Sequence, residues 1–142
     1  MQELINGAEQ VSLFCRLNMN TKRQLPIRAS EMGMLIYIVK SNEIKTPMKI
    51  AEFFKITKPM VTTMVKSMVK KGYLLKEQLQ TDKRSYMLIP TEKTIALVEQ
   101  TYSEYLRTMD ILRLKMGDTE YLELIDLLTK ANNILLEEKN NG

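Results

Sequence analysis

Leu4, Ala8, Val11 and Cys15 recur at i, i+4, i+7 and i+11, the single apolar stripe of a helix over residues 1–19, and Asn18, Asn20 and Pro26 interrupt it. Met34 to Val39 is an unbroken apolar run that fits a buried strand or a buried helix by periodicity alone. Ser30 as an N-cap and the elements that follow favour a helix ending at Val39 or Lys40. Thr46-Pro47 is a helix start, a capping hydroxyl followed by proline at the first helical position. It predicts a short helix over Met48–Phe54 with Ile50, Ala51 and Phe54 inward. Thr57 caps the next helix, which tolerates Pro59 in its first turn and runs to Lys71, with Gly72 just past its end. Along it Met60, Val61, Met64, Val65, Met68 and Val69 make one broad inward face. Two such helices joined by a three- to four-residue turn have helix-turn-helix geometry.

The periodicity then changes. Tyr73–Leu79 and Ser85–Ile89 read as two strands joined by the polar loop Gln80-Thr81-Asp82-Lys83-Arg84, and Pro90 ends the second. Thr91 caps a long helix to about Met116, and Gly117 closes it. Asp118 or Thr119 caps a last helix to about Glu138, followed by a frayed Asn140-Asn141-Gly142 tail. Tyr121, Leu122, Leu124, Ile125, Leu127, Leu128, Ala131, Ile134, Leu135 and Leu136 cover more than one face of this last helix, which therefore needs a second partner: a second subunit, or the first and fifth helices of the same chain.

The chain has 142 residues, one domain by length, with no repeats or low-complexity tracts. There is no histidine, which removes Ser-His-Asp and Cys-His catalysis and imidazole metal sites, and a single Cys allows neither an internal disulfide nor a Cys-rich zinc site. No signal peptide or membrane-length apolar stretch is present, so the expected location is the cytoplasm, with no membrane contact and no cofactor.

The net charge is only +4, but its distribution is uneven. Residues 45–84 carry ten cations and three anions, a surplus of seven, while the remainder is acidic by three. Concentrated basicity points to a partner such as double-stranded DNA, although a solvated lysine-rich surface has the same composition. The second helix of the pair faces outward with Thr62, Thr63, Lys66 and Lys70, has Lys58 at its start, and shows no carboxylate there. Lysine reaches phosphate or guanine O6/N7, and threonine offers a hydroxyl and a methyl that touches thymine. Lys83 and Arg84 at the hairpin tip suit a groove, and Asp82 can pair with Arg84 or cap the turn.

Ile50-Ala51-Glu52, Val61-Thr62-Thr63-Met64-Val65, Lys71-Gly72-Tyr73-Leu74, Asp82-Lys83-Arg84-Ser85 and Thr91, in this order and spacing, resemble the MarR family of bacterial transcription regulators. The resemblance implies a mainly α (α+β) winged helix-turn-helix fold. It implies a homodimer on a pseudo-palindromic operator, acting as a repressor and released by a small-molecule effector or an oxidant. By position, Thr57, Lys58, Thr62, Thr63 and Lys66 open the recognition helix, Lys83 and Arg84 form the wing contact, and Asp82 steadies the wing arginine. The implied organisation is one domain over residues 1–142, with a DNA-binding lobe at 30–90 and dimerisation helices at 1–25 and 91–138. Two departures stand out: Pro90-Thr91-Glu92-Lys93-Thr94 replaces the family's Leu-Thr-x-x-Gly, and Lys58-Pro59 occupies the start of the recognition helix.

Some members of that family sense oxidants through one Cys in the first helix, held by tyrosines of the second. Here that second helix begins Ser30-Glu31-Met32-Gly33, without a tyrosine. Cys15 lies on the apolar stripe, so a buried structural thiol is expected, with a redox sensor as the alternative. The other rivals are a winged-helix protein-interaction module and a small enzyme, for which no converging acid–base pair is visible.

Overall fold

The computed structural model describes residues 1–20, 25–81 and 84–141. Its elements are α1 (Gln2–Asn20), α2 (Ala29–Lys40), α3 (Pro47–Phe54), α4 (Lys58–Lys70), β1 (Leu74–Gln78), β2 (Tyr86–Pro90), α5 (Glu92–Met116) and α6 (Asp118–Asn141). They fall into two compact units, residues 23–103 and residues 1–22 with 104–142.

In the first unit, local chemistry sets the helix boundaries. Thr46 Oγ1 accepts from the Lys49 N–H at 3.3 Å and Pro47 is the first residue of α3. Lys55 ends α3 in the left-handed conformation, φ 56°, so that the three residues Lys55-Ile56-Thr57 suffice to start α4. The N-cap of α2 lies two residues earlier than expected. Arg28 is its N-cap, Ser30 lies inside the first turn, and the Glu31 carboxylate accepts the Arg28 N–H at 3.0 Å. That is the returning half of a capping box, in which an acid three residues on satisfies the cap's own N–H.

The core of this unit is sealed by Met32, Met34 and Leu35 of α2, Ile50 of α3, Val61, Val65 and Met68 of α4, Leu74 of β1 and Val98 of α5. β1 and β2 form an antiparallel ribbon in which Leu74 pairs with Pro90 and Gln78 with Tyr86. The Leu88 N–H donates to the Lys45 carbonyl at 2.7 Å, tying the segment before α3 to β2.

The base of the ribbon is fastened to the end of α4. Gly72 carries φ 85°, a conformation glycine adopts without Cβ strain. Thr91 Oγ1 donates to the Gly72 carbonyl at 2.8 Å and accepts the Thr94 N–H at 3.4 Å. The Thr94 hydroxyl donates to the Tyr73 carbonyl, and Lys93 Nζ donates to the Lys71 carbonyl at 2.9 Å. The departure at residues 90–94 thus keeps Thr91 as the cap and adds two side chains that satisfy carbonyls at and just past the end of α4.

In the second unit, Gly117 at φ 91° separates α5 from α6, and Arg113 Nε donates to Asp118 Oδ1 at 3.2 Å. α6 extends to Asn141, so Asn140 and Asn141 are helical rather than frayed. No residue of α6 is buried. Among the described residues, no helix is long and apolar enough to cross a membrane.

Candidate nucleic-acid interface

α4 presents the expected polar face. Its buried side is the i, i+4, i+7 stripe Val61, Val65 and Met68, held against α3 and β1. Met60, expected inward, is half exposed instead, because the sealed stripe is centred on Val61 and leaves the first turn of α4 projecting. Thr57, Lys58, Thr62, Thr63, Lys66 and Lys70 are exposed. Within described α4, the outward side carries hydroxyls and amines and no carboxylate.

Hydrogen bonds refine what each side chain can offer. Thr57 Oγ1 accepts the Met60 N–H at 3.3 Å, so this oxygen serves as the cap. Pro59 has no N–H, and the Val61 N–H is taken by the Thr57 carbonyl. A phosphate at this helix start would therefore be met chiefly by Lys58. Thr62 Oγ1 donates to the Lys58 carbonyl and Thr63 Oγ1 to the Pro59 carbonyl, both at 3.0 Å. A hydroxyl bonded back to i−4 has spent its proton. It presents lone pairs and a methyl, suited to adenine N6–H, cytosine N4–H or the thymine methyl rather than to guanine O6 or N7.

On the wing, Arg84 is exposed beside the end of the loop, where Leu79 N–H donates to the Ser85 carbonyl at 3.1 Å. Asp82 and Lys83 lie outside the described residues. Lys76 is used within the ribbon, its Nζ lying 4.8 Å from the Tyr86 ring centroid. Burial pushes the Tyr86 hydroxyl above its usual range.

One cation of the basic segment does not belong to the surface. Lys45 is 3% exposed, and its ammonium donates to the Ser41 carbonyl at 3.1 Å and to the Glu43 carbonyl. Burial lowers its pKa, Glu43 opposes that shift, and Lys49 adds to it. The sequence offered no sign of this, because the bond from Leu88 that fixes the Lys45 backbone comes from a distant strand.

A cleft of about 190 Å³ flanks α4, lined by Arg28, Ser30 and Glu31 at the start of α2 and by Thr63, Met64, Ser67 and Lys71 of α4 and its cap. Sequence reading missed Arg28, Ser30, Ser67 and Lys71 as a group, since the two sets are more than thirty positions apart.

Cys15 is exposed, against the expectation of a buried thiol. The reason is that its whole stripe is uncovered in the single chain: Leu4 and Val11 are 73% and 64% exposed. No lysine or arginine lies three or four positions from it to stabilise a thiolate. The described residues contain no group of three or more His, Cys, Asp or Glu placed to hold a metal.

Two helices in a tight turn, the second with a polar basic face, followed by a two-stranded ribbon, define a winged helix-turn-helix. Residues 27–86 match the model of the MarR family. The fold is shared with a MarR protein from Peptoclostridium difficile, at 25% identity and TM-score 0.74 over 94% of this chain and 89% of that one. It is shared with MepR from S. aureus, solved as a DNA complex, at 19% identity and TM-score 0.78 over 92% and 97%. It is shared too with the adhesin competence repressor of Streptococcus pyogenes, at 18% identity and TM-score 0.73 over 94% and 98%. No protein of curated function matches the chain in sequence.

Proposed function

We propose that this chain is a cytoplasmic, sequence-specific DNA-binding transcription regulator that acts by binding rather than by catalysis. The observation that carries the reading is the outward face of α4: exposed Lys58, Thr62, Thr63, Lys66 and Lys70 with no acid among them, on a helix whose opposite side is locked into a core. α4 enters the major groove, with Thr62, Thr63 and Lys66 against base edges and Lys58 on phosphate. Lys83 and Arg84 of the wing contact the neighbouring groove or backbone, and Asp82 steadies Arg84.

The regulator works as a homodimer on a pseudo-palindromic operator. Support comes from the terminal-helix unit, where Leu114, Leu127 and Leu135 are exposed and α6 buries nothing of its own. Exposed apolar side chains in this number on terminal helices suit an association face. Repression by occupying the operator is the mode we infer, in line with the repressor named among the proteins of the same fold. Release by a small ligand follows from the family likeness, and a melting shift with a soluble effector tests it.

Selection of bound fragments from random DNA tests the reading directly. The expected product is a pseudo-palindrome with half-sites about 10 bp apart or a near multiple. Log affinity should fall with log salt by about 0.9 per phosphate neutralised. Failure to enrich any sequence, with a flat salt dependence, would leave the basic face without a DNA partner.

A further inference from the structure

We propose that the cleft between the start of α2 and the Thr63–Lys71 edge of α4 is a seat for a DNA backbone phosphate, with Arg28 and Lys71 as its cations. The inference rests on the reading of α4 as a recognition helix and adds contacts from a different helix. Arg28 and Lys71 are both exposed, and with Ser30, Thr63 and Ser67 they surround about 190 Å³, several times the ~30 Å³ share of a water molecule. Two cations and the hydroxyls of Ser30 and Ser67, from two elements, give the lining donors for an anion, while Thr63, its proton held by the Pro59 carbonyl, contributes contact alone.

Glu31 is the one acid in that lining, and it is spoken for. It is 4% exposed and accepts the Arg28 N–H at 3.0 Å, so it fixes the backbone that carries the arginine. The lining keeps a surplus of one positive charge with Glu31 ionised.

The cleft is continuous with the DNA-facing side of α4 through Thr63. Successive helix residues lie about 100° apart, so Thr62 and Thr63 point to different flanks, and only Thr63 lines the cleft. A duplex whose groove receives α4 has a sugar-phosphate strand on each flank of the helix. The strand on the Thr63 side runs over Arg28 and Lys71. The seat therefore sets how deeply α4 sits and carries no sequence information of its own.

The test is a titration of operator duplex, taken from the random-DNA selection, over a series of salt concentrations. Arg28→Gln and Lys71→Gln should each lower the salt slope by about 0.9 per subunit, about 1.8 per dimer, with equal losses on every single-base variant of the operator. Arg28→Lys should retain the slope, and Thr62→Ala should leave it unchanged. Far-ultraviolet circular dichroism and thermal melts establish that the variants are folded. If Arg28→Gln does not fold, Lys71→Gln decides alone. A wild-type slope in the folded Gln variants, or losses confined to particular bases, would overturn the seat while leaving the regulator standing. Wild-type protein that binds no duplex would overturn both.

Discussion

In the winged-helix unit, residues from α2, α3, α4, β1 and α5 seal one another completely, down to Met32, Leu35, Ile50, Val65 and Met68 without accessible surface. In the terminal-helix unit, α6 has leucines and isoleucines throughout its length and buries none of them, and Leu114 of α5 is 76% exposed. Composition does not separate the two, since both are rich in aliphatic residues. What separates them is whether the apolar groups of one chain can cover each other. Fully burying a leucine is worth about 1.5–3 kcal/mol, so the terminal helices hold a large unrealised stabilisation that a second copy can supply. The winged helix is finished within one chain, and in the proposed homodimer the terminal helices are finished by two.

The most severe way to break this contrast is a charge in the unfinished surface. Leu135→Glu should convert dimer to monomer, because an uncompensated buried charge costs about 3–5 kcal/mol and the two-fold axis places it in both chains. The dissociation constant should rise by at least about 100-fold in sedimentation velocity. The winged helix should keep its own fold, visible as retained near-ultraviolet signal. An unchanged association constant would show that the second copy lies elsewhere.

Met68→Ala probes the finished side. Removing a fully buried methionine should cost about 2–5 kcal/mol, read as a lower denaturant midpoint at constant slope. Leu114→Ala, measured under dilution to monomer, should cost far less, since that side chain covers little there. Equal losses would erase the distinction between the two units.

A third variant separates binding from folding within the finished unit. Arg84→Ala should weaken operator binding by about 1–3 kcal/mol while the melting temperature stays put, because Arg84 is exposed at the ribbon tip. A loss concentrated on A·T-rich flanks would place Arg84 in a narrow minor groove, and a uniform loss would place it on phosphate. Wild-type binding on every duplex would remove the wing from the interface.

The smallest effect concerns the buried cation. Burial holds the Lys45 ammonium below its ordinary 10.5. As pH climbs toward 10.5, the folded chain releases this proton before the unfolded chain does. The unfolded state then binds more protons, so this group makes stability rise with pH through that window. Lys45→Met removes the contribution. The stability difference between wild type and variant should be flat at neutral pH and shift toward wild type in the alkaline window. A constant difference across the range would show that Lys45 ionises alike in both states.

These contrasts also mark how far the sequence carried the reading. Thr46-Pro47, Thr57 with Pro59, Gly72 and Thr91 were legible because caps and proline act within three or four residues, and the structure places each at its expected boundary. The cap of α2 was misread by two residues, since Ser30 is a good cap by type while the Glu31 carboxylate favours Arg28. Met60 and Cys15 were misread for a shared reason. A periodic apolar stripe states which positions share a face and not whether anything in the chain covers it. Lys45 and the Arg28–Lys71 cleft were illegible because their surroundings come from segments brought together only by the fold.

The central claim is that two chains complete one another and so present two recognition helices to one duplex. Native mass spectrometry of the protein mixed with a selected operator tests it most directly. The account predicts two chains per duplex on a pseudo-palindromic site, with Leu135→Glu abolishing that species. A single wild-type chain bound to an asymmetric half-site, with no dimer in the free protein, would contradict it.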